Sequence, residues 1–307
     1  MLASIEIKNF RCFENTNIQG FGRINLVTGK NNSGKTCLLE ALYANTTKHF
    51  NDIIHNSRSS NRDSAAQNNL FYNGSLKNEI SIKCEIEKIY LVSNRIVLYN
   101  GVTEYEIGFD GTCEIQLIFD KNRQLPATKI ELVPLFDNAE ITGKKQDIID
   151  AIQVIDDTIE DIRTYSSKPN VLYVKCQNEN FYKPIYYFGD AVQTILRYIV
   201  NVISFNTDTK LKVLLIDEIE NGIHYTAQAK FWQMLFKLCI RFDIQVFATT
   251  HSLEMIKAFR QVSKNFENEA AYFELARNAS TGQIVGIKHE LSTLEYELQT
   301  ESPIRGE

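Results

Sequence analysis

Two different periods run through the first fifty positions. Ile5 and Ile7 alternate with polar neighbours, and Ile24, Leu26 and Val27 form a second short apolar run, patterns expected of strands. Leu38, Leu39, Leu42 and Tyr43 then recur at helical spacing. A glycine-rich turn over residues 29–34 separates the two regimes, so the order is strand, tight loop, helix.

Further along, residues 51–75 are polar and rich in Asn and Ser, with Asn73-Gly74 as a turn, and read as a mobile surface segment. From Glu79 to about Val133 the pattern is strand-like, broken by the turn dipeptides Asn100-Gly101 and Asp110-Gly111, which predicts an antiparallel meander. Ile148, Ile152, Ile155, Ile159 and Ile162 recur at steps of four and three and predict one apolar helical stripe. The opposite face of that helix carries Asp156, Asp157, Glu160 and Asp161 to solvent. A hairpin over 171–187 and a helix over 190–204 follow. Then come an apolar strand at 213–216, a helix at 226–240, a strand at 244–248 and a helix from about Ser252. Strands that are apolar throughout have both faces covered, as in a parallel sheet between layers. Two more strands, near 272–276 and 284–287, and a short helix near 291–298 end the pattern.

Composition narrows the class. Of 307 residues 44% are hydrophobic and 23% charged, which fits a packed chain rather than a disordered one. Lys and Arg total 33 against 38 Asp and Glu, a net charge of −5. Charge alone does not hold such a chain to nucleic acid, and DNA or RNA binding would need a local basic face. No apolar stretch reaches membrane-helix length. Glu6, Lys8 and Arg11 stand where a signal peptide has its apolar core, so a cytoplasmic protein is expected. The cysteines form no CxxC pair and the histidines no HExxH pattern, which argues against a transition-metal site made by protein alone.

Three short motifs carry chemistry. Gly29-Lys30-Asn31-Asn32-Ser33-Gly34-Lys35-Thr36 fits GxxxxGK[ST] at every fixed position. The glycines let the backbone curl so that N–H groups across Gly29, Asn31, Asn32, Ser33 and Gly34 point at phosphate oxygens, with a helix N-terminus behind them. Lys35 then reaches the β- and γ-phosphates and Thr36 offers a hydroxyl to Mg²⁺. The second motif is Asp217-Glu218 at the end of an apolar strand, where ligands of open α/β sheets bind. Buried carboxylates are costly unless something uses them. Asp217 would hold Mg²⁺, through water, and Glu218 would polarise the attacking water; the alternative is that both cap the next helix. The third is Thr249-Thr250-His251-Ser252, in which His251 can hydrogen-bond the γ-phosphate or the attacking water and Ser252 can N-cap a helix.

This series of motifs around a long insertion resembles the ABC-type ATPase heads of the RecF, structural-maintenance-of-chromosomes (SMC) and OLD (overcoming lysogenization defect) proteins. Residues 216–225 and 248–252 are similar to OLD-like AAA-family ATPases, and Ile7-Lys8-Asn9-Phe10-Arg11-Cys12-Phe13 matches the group's N-terminal strand. The resemblance implies an α/β P-loop NTPase of ABC-head type, a mixed sheet with an inserted antiparallel β meander and a helical lever. One head would span 1–307, with a nucleotide core at 1–50 and 171–307 and the insertion at 51–170. It also implies ATP and Mg²⁺ as cofactors, Arg11 near the nucleotide, and a homodimer or higher homo-oligomer closing head-to-head around ATP. The matching signature segment is Tyr187-Phe188-Gly189-Asp190-Ala191-Val192, with Gly189 and Asp190 towards the nucleotide. Ala191 stands where glycine is usual and Thr194 where arginine is common, which implies slow turnover; Arg197 is a substitute cation and Gln67 a candidate Q-loop glutamine. No heptad array for coiled-coil arms is present, and the stretch after His251 is too short for a TOPRIM nuclease domain. A separate effector protein such as a nuclease is therefore implied, in phage defence or DNA metabolism. The alternative is a nucleotide-gated scaffold that binds ATP with little or no turnover and holds a partner toxin or nuclease.

Overall fold

A computed structural model of the protein describes residues 1–46, 72–74, 80–86, 89–99, 102–107, 113–118, 132–168, 170–206 and 208–299. The chain begins β1 (Leu2–Phe10), β2 (Phe13–Gln19), β3 (Ile24–Thr28) and α1 (Lys35–Thr46). It continues with β4 (Ser81–Ile86), β5 (Ile89–Tyr99), β6 (Val102–Ile107), β7 (Cys113–Ile118), α2 (Leu132–Ile141) and α3 (Lys145–Gln153). Next are β8 (Ile159–Arg163), β9 (Tyr173–Cys176), β10 (Lys183–Pro184), α4 (Asp190–Ser204), β11 (Leu211–Ile216) and α5 (Tyr225–Phe242). The last described elements are β12 (Gln245–Thr249), α6 (Leu253–Ser263), β13 (Ala270–Arg277), β14 (Ile284–His289) and α7 (Leu291–Gln299).

Six strands in the order β14–β13–β3–β12–β11–β7 form the central sheet, parallel except for β14. Alternate side chains of its strands enter two separate cores. Leu214 and Ile216, Val246 and Ala248, and Ile24 and Leu26 pack on the layer of helices α2–α7. Val213 and Leu215, Phe247, and Val27 face the other way, onto α1 and the strands β1, β2 and β4. That is why these strands read as apolar throughout: each side chain of Val, Leu or Ile size gains about 1.5–3 kcal/mol by burial, and both faces are covered.

A second, antiparallel sheet runs β2–β1–β4–β5–β6. The meander expected from the sequence is thus continuous with the N-terminal hairpin. Gln245, 1% exposed, ties the two sheets: its Nε2 donates to the carbonyls of Leu2 (2.9 Å) and Gly22 (2.8 Å), and its Oε1 accepts from Leu2 N (2.7 Å). A third sheet, β10–β9–β8, flanks the helices.

Three expectations change. First, β7 does not belong to the meander; it pairs parallel with β11 from Leu211–Cys113 to Ile216–Ile118 and closes one edge of the central sheet. The inserted stretch therefore contributes a strand to the core. Second, the single helix through Ile148–Ile162 is replaced by α3 and β8. Asp156 breaks it, its carboxylate accepting from the N (3.1 Å) and Oγ1 (2.6 Å) of Thr158. The register of β8 against β9 shifts between Ile159 and Asp161, so Ile159 and Ile162, three apart, are both buried. A bulged strand has imitated a helical period, and the lever is the short pair α2 and α3 packed on α4. Third, the strand-like run does not reach Val133, because α2 starts at Leu132 with Pro134 in its first turn, where a missing N–H costs nothing. Asn73-Gly74 lies in a single 3₁₀ turn with Asn73 at φ 51°. The rest of 51–75, including Gln67, and the Asn100-Gly101 and Asp110-Gly111 dipeptides lie outside the described residues. Among the described residues no helix is long and apolar enough to cross a membrane.

Candidate nucleotide-binding site

Strand β3 delivers the chain into the loop at 29–36 and α1 carries it away. Gly29, Asn32 and Gly34 have φ of 140°, 61° and 94°. A Cβ on Gly29 would lie 2.4 Å from the carbonyl of Leu275, and one on Gly34 would lie 2.8 Å from Cys12 Sγ. Both glycines are demanded by conformation and by space, whereas asparagine tolerates its left-handed position. Helix α1 begins directly at Lys35, so the unsatisfied N–H groups of its first turn open at the loop. Ser33 Oγ is buried there without a hydrogen-bond partner among the described residues, an orphaned donor at the place where phosphate oxygens would supply acceptors.

Lys35 Nζ donates to the carbonyls of Gly29 (2.7 Å) and Lys30 (3.0 Å). Burial lowers its pKa, while the nearby carboxylates of Asp217, Glu220 and Glu218 work against that shift. One ammonium therefore stands among three acids.

Those acids follow β11. Asp217 is 4% exposed; its Oδ2 accepts from Thr36 Oγ1 (2.9 Å) and its Oδ1 from Thr249 Oγ1 (2.5 Å). Hydrogen bonds to an ionised group contribute about 1.5–3 kcal/mol each. Thr249 Oγ1 in turn accepts from Glu218 N (2.9 Å), and Ile219 N donates to the Thr249 carbonyl (3.0 Å). Thr250 N donates to the carbonyl of Val27 (3.1 Å). The ends of β3, β12 and β11, neighbours in the sheet, are thereby locked into one surface. Glu218 itself has φ 52°, a conformation that costs a non-glycine residue about 1–2 kcal/mol. Asn221 steadies it, its Nδ2 donating to Glu218 Oε2 (3.0 Å) and its N to the Glu218 carbonyl (2.9 Å). Glu218 thus holds a strained backbone at the end of β11. Capping is not its role: α5 starts at Tyr225 with His224 at the N-cap position.

His251 lies at the same edge, with its backbone N 3.1 Å and its Nδ1 3.2 Å from Glu220 Oε1. Ser252 caps α6 as expected, accepting from Met255 N (3.2 Å). Arg11, at φ 54°, sets its Nε 3.1 Å from Glu40 Oε2, so it braces the helix that carries Lys35 and Thr36. In the same turn Cys12 meets Cys37, and the hydrogen bond from the Cys37 thiol lowers the pKa of Cys12 while raising that of Cys37 well above the usual thiol range.

The structure brings together the loop, Asp217, Glu218 and His251. Gly189 and Asp190 are placed elsewhere: they open α4, in the helical layer across the central sheet from α1. Helix α4 meets the acidic turn at Thr194. A Cβ on Gly222, at φ 78°, would lie 2.6 Å from Thr194 Oγ1. Gly222→Ala is expected to cost about 1–3 kcal/mol, seen as a lower midpoint in urea unfolding; an unchanged midpoint would show the turn free to move off α4. Sequence reasoning gives no role to Thr249, Asn221 or Glu220. The available signal was three acids within four positions after an apolar strand.

Among the described residues no three His, Cys, Asp or Glu side chains group as a metal cage. The hard oxygens of Thr36 and Asp217 suit Mg²⁺, which takes one or two protein ligands and the rest from phosphate and water.

The sequence matches the AAA ATPase domain family over residues 1–178 and 115–256. A Helicobacter pylori protein named ATP/GTP phosphatase is 25% identical over 382 aligned positions covering 100% of both chains. Among solved structures, an SMC head bound to the C-winged helix domain of ScpA superposes with a TM-score of 0.61 at 12% identity, covering 95% of this chain and 99% of that one. An SMC head with an extended coiled coil, bound to the C-terminal domain of ScpA from Pyrococcus furiosus, gives 0.59 at 12% identity, covering 98% and 99%. These likenesses show the fold of an ABC-type head. Built on a loop that fits GxxxxGK[ST] and on acids that meet it from two strands away, the chain belongs to the AAA ATPase domain family.

Proposed function

We propose that the protein binds ATP with Mg²⁺ between the loop at 29–36 and the turn at 217–220, hydrolyses it slowly, and works as a pair of heads that controls a separate effector. The Thr36–Asp217 hydrogen bond carries this reading, because it joins the two oxygen donors expected of a Mg²⁺ site beside the loop lysine. Lys35 would exchange the carbonyls of Gly29 and Lys30 for β- and γ-phosphate oxygens. The N–H groups of Gly29, Asn31, Asn32, Ser33 and Gly34 would cradle those oxygens, and the Ser33 hydroxyl would find its acceptor there. Bound Mg²⁺ would neutralise charge on the phosphates and polarise the bond to be broken. Glu218 would take a proton from the attacking water, and His251 would hold that water or the γ-phosphate.

The position of α4 supports the pair. Gly189 and Asp190 stand across the sheet from α1, so a second copy would have to supply them to a nucleotide on this loop. The resemblance to OLD-like heads supports an effector such as a nuclease, in the cytoplasm. A second reading, ATP held with little turnover by a scaffold, is favoured by Thr194: it is 5% exposed against Gly222 where an arginine is common in the family, so no cation comes from that position.

Phosphate release and light-scattering mass, measured with ATP and Mg²⁺, test both readings. Slow release with a doubled mass is expected. ATP bound with no release would leave the scaffold, and a mass unmoved by ATP would remove the paired heads.

A further inference from the structure

Two thiols meet beside the phosphate loop, and neither has a part in the proposed reaction. Cys12 sits in the turn between β1 and β2, which is tight because Phe10 pairs directly with Phe13 across it. Cys37 follows Thr36 in the first turn of α1. The Cys37 thiol donates a hydrogen bond to Cys12, and both side chains pack on the same apolar core. Both residues are partly exposed, so a small oxidant can reach them, whereas Cys84 and Cys239 are buried.

The thiol contact is tied to the loop through Gly34. A Cβ there would lie 2.8 Å from Cys12 Sγ, 3.1 Å from Phe13 Cζ and 3.3 Å from Ile284 Cδ1, so the Gly34 backbone is wedged against the turn. The Gly34 carbonyl also accepts from Leu38 N (2.8 Å), which links it to α1. Buried Phe10 and Phe13 anchor the turn, and buried Leu38 and Leu39 anchor the helix. A disulfide holds its sulfurs about 2.05 Å apart, much closer than hydrogen-bonded thiols. Closing one draws the turn and α1 together, and the Gly34 peptide, packed on the same sulfur, has to move.

We propose that Cys12 and Cys37 are an oxidation site that closes to a disulfide under hydrogen peroxide and thereby weakens the grip of the 29–36 loop on nucleotide. The Cys12 sulfur attacks one peroxide oxygen: an S–O bond forms, the O–O bond breaks, and the second oxygen leaves as water with the Cys12 proton. The Cys37 sulfur then attacks the Cys12 sulfur. The S–S bond forms, the S–O bond breaks, and the oxygen leaves as a second water with the Cys37 proton. Two thiols lose two electrons and one peroxide is reduced to two waters. Cys12 takes the first step, because the hydrogen bond from Cys37 lowers its pKa and Arg277 adds to that effect.

Trypsin places the two cysteines in separate peptides, residues 12–23 and 36–48, with one cysteine in each. After the full chain is treated with hydrogen peroxide and its remaining thiols are blocked, mass spectrometry is expected to find these peptides joined, and a phosphine reductant to part them. Absence of the joined peptide would overturn the site. The effect on the loop rests on the ATP binding proposed above, but the peptide link is read without nucleotide. By titration calorimetry the oxidised chain is expected to bind ATP with Mg²⁺ about 10–100-fold more weakly than the reduced one. Reduction should restore the affinity, and Cys12→Ser should keep it under peroxide. Equal affinity of the oxidised and reduced wild type, or an equal loss in Cys12→Ser, would overturn the action of the pair on the loop. A joined peptide in a chain that binds no ATP even when reduced would overturn the nucleotide site, while leaving the oxidation site established.

Discussion

With Lys35 replaced by alanine, the affinity for ATP is expected to fall about 10²–10⁴-fold. The ammonium can place two charge-assisted hydrogen bonds on phosphate oxygens, each worth about 1.5–3 kcal/mol, and tenfold in affinity is about 1.4 kcal/mol. Its present partners are two carbonyls of its own loop, so the substitution removes little that the fold depends on. Loss of Lys35 also leaves Asp217, Glu218 and Glu220 facing a polyphosphate without their nearest cation. Titration calorimetry with ATP and Mg²⁺ measures this, with the thermal midpoint as a check on folding. Affinity within a few-fold of wild type would place the triphosphate elsewhere.

Glu218→Gln is expected to lower the rate of hydrolysis by about 10²–10⁴-fold while ATP binding persists. Glutamine keeps an oxygen that can accept from Asn221 Nδ2, and the backbone bonds of Glu218 to Thr249 and Asn221 do not involve the side chain. The turn should therefore hold its shape with only the basicity removed. Removing a negative charge beside the phosphates should also tighten ATP somewhat, so an ATP-bound pair of heads should last longer. Single-turnover hydrolysis measures the chemical step directly. Equal rates for the variant and the wild type would take Glu218 out of the role of base.

The loop and the two apolar strands after it were legible because their determinants are local. Glycine at positions that need positive φ, a change of period at Lys35, and strands apolar on both faces are all short-range consequences of the backbone. The partition of Leu214 and Ile216 from Val213 and Leu215 also follows from the period of two. What failed was pattern without register. Ile159 and Ile162 fit a helix because a bulge moved the strand's inward face by one residue, and a sequence carries no direct mark of that. The sheet membership of β7 is a fact about pairing with β11, about a hundred residues away, and no local period encodes it. At the site, Asp217 and Glu218 stand out as acids after an apolar run. The bond from Thr249 to Asp217 and the hold of Glu220 on His251 depend on how close β11 and β12 finish. Arg11 was expected beside the nucleotide, and its ion pair with Glu40 on α1 is a contact that no local pattern announces.

The strand order has a consequence for how the protein acquires its site. Of the three strands whose ends make it, β12 is synthesised last yet lies between the other two, so β3 and β11 cannot reach their final spacing until it has entered the sheet. A nascent chain still short of residue 245 can own the phosphate loop and both acids without being able to grip a nucleotide between them. Bound ATP would then favour only the completed fold. It would add about 2.7 kcal/mol of stability at a hundred times the dissociation constant, and only to the finished molecule.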